Sequence, residues 1–287
     1  RHRQVREPNI LGSLAARSLA IRHINNITGL GSVFAKPSPL MRLTVFLYSF
    51  ALAKSSCVFF QNPDDRSLFA KLGILTGLPT DVLPGSGVNL NHFKWRTPDA
   101  CKPAKNSAGV TSFILVSRML RDKGVFEFYE AARSLLDTGL KAEFRLLGPI
   151  AEGREGVPLA TIEKWQDEGV VTYLGEADDV RPFVLASDCV VLPTFYREGV
   201  PRALIEAAAM GRPLIATDVA GCREIVSDPE NGFLILPRNA QDLADKMLKL
   251  SALAPEKKIR MGNRSREIAE EKFSEKIVID KYINCLR

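Results

Sequence analysis

The chain has 287 residues, of which 46% are apolar and 25% charged, with a formal net charge of +6. This is the composition of an ordinary soluble globular protein with room for two modest domains, and it holds no internal repeat or low-complexity tract. Cys57, Cys101, Cys189, Cys222 and Cys285 are scattered and odd in number, without a C-x-x-C pair. That argues for a reduced compartment and against a disulfide framework or a zinc site, and His2, His23 and His92 lack ligand spacing.

The first half-domain is read from residues 1–88. "NILGSLAARSLAI" has helical character, "RHINNIT" strand, "MRLTVFLYSFALAKS" helix, "CVFFQN" strand, "DDRSLFAKLG" helix and "TDVLPG" strand. Three strands are half of the six expected in a complete domain of alternating strands and helices. The chain opens on Arg1 without a signal peptide, and the expectation is a fragment lacking its true N-terminus. Residues 1–54 hold eight basic residues and one acid, a net +7, whereas the remainder holds 31 basic and 32 acidic. A basic region on a neutral body points to an anionic neighbour, a phospholipid surface or nucleic acid; a solvated basic face is the plain alternative. The apolar run "LTVFLYSFALA" (43–53) reaches only about 16 Å as a helix, half a bilayer core, and reads as a core helix.

The polar segment 89–108, with two prolines, reads as a linker. From 109 to 270 the strand candidates are 113–117, 143–148, 170–175, 189–193, 213–218 and 232–237, each a short apolar run suited to a parallel strand buried on both faces. Helical stretches fall at 124–138, 159–168, 180–187, 201–210, 221–227 and 239–253, with Gly139 and Gly211 placed as helix stops. The alternation predicts a doubly wound α/β domain. Two further helices follow residue 254. The first carries charge all round and is expected to face water, and the second, within 271–287, is expected to pack back toward the first domain.

Open parallel sheets bind ligands at the carboxyl ends of their strands. After 113–117 comes "RMLRDKG", which puts Arg118 and Lys123 near a helix start, an arrangement suited to a pyrophosphate. Paired with Asp122 or Glu127, the same two residues read as plain surface charges. After 189–193 comes "TFYREGVPRALIEAAAMG", with seven residues between Glu198 and Glu206. Pro201 suits the first helical position and so places Glu198 in the loop and Glu206 inside the helix, about 7.5 Å further along the axis. Two carboxylates so placed can grip an elongated ligand's hydroxyls at two points, with Gly199 allowing close backbone approach. Singly, Glu198 also reads as a charge favoured by the helix dipole, and Glu206 as a buried acid paired with Arg202 or Arg223. No G-x-x-x-x-G-K-[ST] or G-x-G-x-x-G is present.

Together, "EGVPRALIEAAAMGRPLIAT", "VSRMLRDKG", "AGCREIV" and "NGFLILP" resemble the E-x7-E retaining glycosyltransferases of the GT-B fold, family 4. "NITGLGSVF", "FFQNPDD" and "PGSGVNLNHF" are similar to the subgroup that builds bacterial O-antigen, capsule and lipid-linked oligosaccharides. The resemblance spans nearly the whole chain. It implies two Rossmann-like domains, the N-terminal one incomplete and the C-terminal one complete. It departs at the opening strands and Gly-rich loop of the first domain, which are absent, and at Glu7, where relatives often carry lysine.

By that resemblance Glu198 contacts the transferred sugar, Glu206 the donor's ribose, and Arg118 and Lys123 the departing diphosphate. The backbone of Gly199, Val200 and Arg202 adds donors, and Ser117 and Gly148, at the ends of two strand runs, complete the donor-binding set. The implied activity is hexosyl or N-acetylhexosaminyl transfer from a nucleotide sugar, UDP-linked by expectation, to a lipid-linked saccharide acceptor. The expected place is the cytoplasmic face of the inner membrane, with no metal, no cofactor beyond the co-substrate, and no nucleic acid. The alternatives are an inactive nucleotide-sugar-binding fragment and a nucleotide-sugar 2-epimerase on the same fold, which the lack of a histidine near the motifs disfavours.

Overall fold

The computed structural model describes residues 7–35, 37–94, 110–196 and 198–286. The expected linker therefore lies outside the described residues from position 95 on, as do Cys101 and four of the N-terminal cations.

The first sheet is parallel and three-stranded, in the order β1 (Ile24–Ile27), β2 (Cys57–Phe60), β3 (Thr80–Val82). Helix α1 (Glu7–Ser18) precedes it, α2 (Pro39–Leu52) crosses from β1 to β2, and α3 (Pro63–Lys71) from β2 to β3. The caps are set by sequence: the Ser38 side chain accepts the Met41 N–H and Asn62 accepts the Asp65 N–H, each followed by a proline at the helix start. Strand β1 tolerates two asparagines because Asn25 is satisfied from both sides. It donates to Ser13 Oγ at 2.8 Å and accepts from Ser55 Oγ at 2.7 Å.

Helix α2 is not the core helix expected. It buries Tyr48, Ala51 and Leu52 but leaves Leu40, Leu43, Phe46 and Phe50 exposed. Its apolar residues lie on two faces, and one of them meets the sheet.

The second sheet has six parallel strands in the order β6 (Thr172–Tyr173), β5 (Ala142–Leu147), β4 (Thr111–Val116), β7 (Cys189–Leu192), β8 (Leu214–Thr217), β9 (Gly232–Ile235). Read from β4, this is the 3-2-1-4-5-6 order of a doubly wound fold, with its switch point between β4 and β7. Helices α4 (Val125–Asp137) and α9 (Ala240–Ser251) pack together on one face, where their Phe128 and Leu243 cluster with Phe113 and Phe144 of the sheet. Helix α7 (Arg202–Ala209) lies on the other face, over Ile114, Val190 and Leu214. The remaining crossovers are α5 (Leu159–Asp167), α6 (Arg181–Leu185) and the four-residue α8 (Ala220–Arg223), shorter than expected.

Helix α10 (Pro255–Lys272) does not merely face water. It buries Met261, Gly262, Ser265, Ile268 and Ala269 along one stripe. A Cβ on Gly262 would lie 2.3 Å from the Gly211 carbonyl oxygen, so only glycine lets α10 come this close to the end of α7. Arg266 then donates to the Ala209 carbonyl at 2.6 Å, a cation at a helix C-terminus. Helix α11 (Glu275–Leu286) lies on the first sheet, where Val278 clusters with Cys57, Phe59 and Leu83. Its Lys281 bonds Asp81 at 2.6 Å, and Tyr282 stacks edge-on against Phe59. No helix of the described residues is long and apolar enough to cross a membrane.

Candidate active site

The carboxyl ends of β4 and β7 meet at the switch point, and the loops that follow them hold the candidate residues. A short 3-10 turn, Arg121–Lys123, follows β4 and ends on Gly124 with φ +76°. A Cβ there would lie 2.2 Å from the Pro193 carbonyl oxygen, so glycine both makes the left-handed turn and admits the β7 loop. The close approach is fixed by two bonds to the Asp122 carbonyl, from the Phe195 N–H at 3.0 Å and the Thr194 hydroxyl at 3.1 Å.

Lys123 is thereby delivered to Glu198, with Nζ 2.5 Å from Oε1 and both side chains mostly buried. The Thr194 hydroxyl lies 3.2 Å from the same oxygen. Neither Asp122 nor Glu127 takes Lys123. Burial pushes the Asp122 carboxyl above its ordinary value, against the pull of Lys123 and with Glu198 and Glu155 adding to the rise. Arg118 is exposed, and its charge also acts on Asp122, more weakly than that of Lys123. Beneath them the buried Cys222 thiol is pushed up, by burial first and then by Glu198.

Pro201 is the cap residue rather than the first helical one. Its ψ of 123° is extended while its carbonyl already accepts from Leu204 and Ile205, so α7 begins one residue later, at Arg202. Glu206 is 13% exposed and is held by Arg202 Nε at 2.6 Å, one turn back on the helix; Arg223 is not its partner. Arg202 is itself 69% exposed. A pair this open is worth little, which leaves Glu206 able to exchange its partner for a ligand hydroxyl.

Gly199 departs from its expected part. Its N–H donates to the Thr28 carbonyl at 2.6 Å, so in this structure it does not face an open cleft. A Cβ on it would lie 1.9 Å from Gln61 Oε1, and a Cβ on Gly221 of α8 would lie 2.0 Å from the Gly199 carbonyl oxygen. Val200 is buried, and a Cβ on Gly85 would lie 3.2 Å from Val200 Cβ. The first N–H groups of α7 have no intrahelical acceptor and stay oriented toward the loop. Ser117 and Gly148 cross at the ends of β4 and β5, where a Gly148 Cβ would lie 2.0 Å from the Ser117 carbonyl oxygen. The Gly148 N–H is used by Gly175 at 2.8 Å.

Three contributors from the first sheet escaped the sequence reading. Thr28 follows β1, Gln61 follows β2, and Asp64 stands in the first turn of α3. Asp64 takes Arg223 Nη2 at 2.7 Å, while Arg223 Nη1 holds Asp218 at 3.0 Å. "NIT" and "FFQN" carried the signal for the first two, as polar residues at the carboxyl ends of strands.

Two parallel sheets facing each other through the carboxyl ends of their strands define the GT-B fold, with the site in the crevice between them. Residues 111–252 match the family model "Glycosyl transferases group 1". Over this region the chain is similar to that family of transferases. It is 29% identical, over 96% of this chain and 73% of the relative, to the N,N'-diacetylbacillosaminyl-diphospho-undecaprenol alpha-1,3-N-acetylgalactosaminyltransferase of Campylobacter jejuni subsp. jejuni serotype O:2. It is 30% identical to the putative colanic acid biosynthesis glycosyltransferase WcaL of Escherichia coli K12, over 70% of this chain and 50% of the relative. The chain therefore spans about three quarters of one relative and half of the other. In fold it matches Anabaena Alr3699/HepE, solved in complex with UDP-glucose, with a TM-score of 0.80 at 20% identity, over 96% of this chain and 75% of that one.

Proposed function

We propose that the protein transfers a hexosyl or N-acetylhexosaminyl group, with retention, from a UDP-sugar to a lipid-linked saccharide at a membrane surface. The Lys123–Glu198 pair at the switch point carries this reading, because it sets a cation and a carboxylate side by side where a sugar diphosphate would lie. The C. jejuni relative, named for a diphospho-undecaprenol acceptor, and the fold neighbour solved with UDP-glucose support the acceptor and donor classes. Residues 1–88 form the acceptor side in this proposal, and 109–270 the donor side.

In the proposed step the bond between the anomeric carbon and the diphosphate oxygen breaks, and its electron pair leaves with the diphosphate. Lys123 and Arg118 stabilise that charge. The acceptor hydroxyl attacks the same face and gives its proton to the leaving phosphate. Glu198 orients the sugar and Glu206 the ribose, and no resident metal is invoked. The test is transfer of a labelled sugar to a lipid-linked acceptor, with the product's anomeric configuration read by NMR. Retention from a UDP-sugar is expected. Near-wild-type transfer by all of Lys123→Ala, Glu198→Ala and Glu206→Ala would refute the site.

A further inference from the structure

Residues 8–63 contain no acidic residue, and within them lie Arg17, Arg22, Lys36, Arg42 and Lys54. On the same stretch α2 exposes Leu40, Leu43, Phe46 and Phe50, each 54–66% accessible. Their spacing of three, three and four residues makes one stripe along the helix, about 15 Å long. Leu11 on α1 and Leu19 and Ile21 beyond its end are exposed as well. Exposed large apolar residues gathered in this way mark an interaction surface, since single scattered ones are the norm.

The charge around the stripe selects its occupant. Arg22, Arg42 and Lys54 are exposed. Arg17 sits over the Phe50 ring at 4.7 Å and bonds the Phe50 carbonyl, which holds a cation at one end of the stripe. An apolar strip edged by cations, with no carboxylate in the surrounding sequence, is complementary to an anionic phospholipid surface: acyl chains for the stripe, headgroups for the rim. We infer that α2 is a membrane-docking helix, lying in the interface with Leu40, Leu43, Phe46 and Phe50 inserted. Topology adds a direction. A crossover helix runs antiparallel to the strands it joins, so Leu40 lies at the end of α2 nearest the carboxyl ends of β1 and β2, where Thr28 and Gln61 face the site. Docking along the stripe brings the crevice to the bilayer surface. Only this consequence rests on the lipid-linked acceptor of the proposed function.

The test is vesicle flotation of the whole chain, with phosphatidylcholine vesicles compared to phosphatidylcholine–phosphatidylglycerol vesicles. Binding to the anionic vesicles is expected, weakening as salt rises. Leu43→Ser with Phe46→Ser should lower binding about tenfold or more. Arg42→Glu with Lys54→Glu should remove the preference for anionic vesicles. The UDP-induced thermal shift of each variant is measured in parallel, because it reports folding and the donor site independently of lipid. Failure to float with an intact UDP shift overturns docking alone, and a lost UDP response in a chain that floats overturns only the proposed function. Equal flotation of the serine variant overturns the inference. So does a dimer in solution that the serine variant converts to a monomer, which would give the stripe to a second copy.

Discussion

Lys123 and Glu198, separated by 75 residues in sequence, are joined at 2.5 Å by the loops that leave β4 and β7. This contact ties the two central strands of the larger sheet together at their ligand-binding ends. It also means that neither charge is spare. In the proposed reaction a diphosphate arriving at Lys123 would compete with Glu198 for it and free the carboxylate toward the sugar.

Replacing Lys123 by alanine removes charge stabilisation from the leaving group and a partner from a mostly buried carboxylate. We predict a fall in kcat of two to three decades, with a smaller change in donor KM. Steady-state kinetics over a range of donor concentrations reads the split. An increase in KM alone would contradict the role.

Glu206 has the opposite signature. Glu206→Gln should raise donor KM about tenfold or more and leave kcat near wild type, because a ribose contact is made equally before and during reaction. Arg202→Ala should change stability by about 0.5 kcal/mol or less, since the pair it breaks is open to water. If Arg202→Ala instead abolishes donor binding, Arg202 is part of the donor site and not a partner that yields to it.

Gly199→Ala forces a Cβ against Gln61 Oε1 and the Thr28 carbonyl. The loop carrying Glu198 must then move away from the first sheet. Stability should drop by about 1–3 kcal/mol and turnover by about a hundredfold. Calorimetry and a transfer assay on one preparation check both. A variant with full activity would show that the Thr28–Gly199 bond is dispensable.

Burial raises the Asp81 carboxyl, but the bond from Lys281, the Val82 N–H and Arg66 bring it below its ordinary value. A lowered carboxylate stabilises the fold above the unfolded value near 3.9, and the effect is lost as pH falls through the folded value. Lys281→Met should therefore cost stability at neutral pH, by about 1 kcal/mol or less given the exposure of the pair. The deficit should close in strong acid. Urea titrations at neutral pH and near pH 2 test this, and an equal deficit at both would contradict it.

Cys57 lies under α11, where burial and then the neighbouring Cys285 thiol push it up to about 12. Cys189 and Cys222 are raised by burial. Among the four cysteines in the described residues, only the half-buried Cys285 should be alkylated in the native protein at mildly alkaline pH. Rapid modification of Cys57, mapped by mass spectrometry, would mean that α11 leaves the first sheet.

Most of the larger sheet was legible because its strands are buried on both faces and read as unbroken apolar runs. "CVVLP" and "PLIATD" needed no partner to be recognised. Helix α8 was overestimated because "GCREIV" has helical character, while the chain turns at Glu224 to bury Ile225 and Val226. The outward stripe of α2 was missed because apolar content alone does not say how many faces a helix buries. Glu198 and Lys123 were legible as motif residues, but their pairing was not, since it depends on the switch point. Thr28 and Gly199 were harder still: their bond runs between main-chain atoms of loops that leave two different sheets, and no side-chain pattern encodes it.

In the proposed function the crevice holds a nucleotide sugar through Glu206 and the cations after β4. A thermal-shift panel of UDP-, GDP-, dTDP- and ADP-sugars tests it most directly, run on the wild-type chain and on Glu206→Ala. At a hundredfold excess over Kd, a bound donor adds about 2.7 kcal/mol, a shift of several degrees. That shift is expected for a UDP-sugar in the wild type, with its loss in Glu206→Ala. A flat response to all four donors, or an equal shift in the variant, would contradict it.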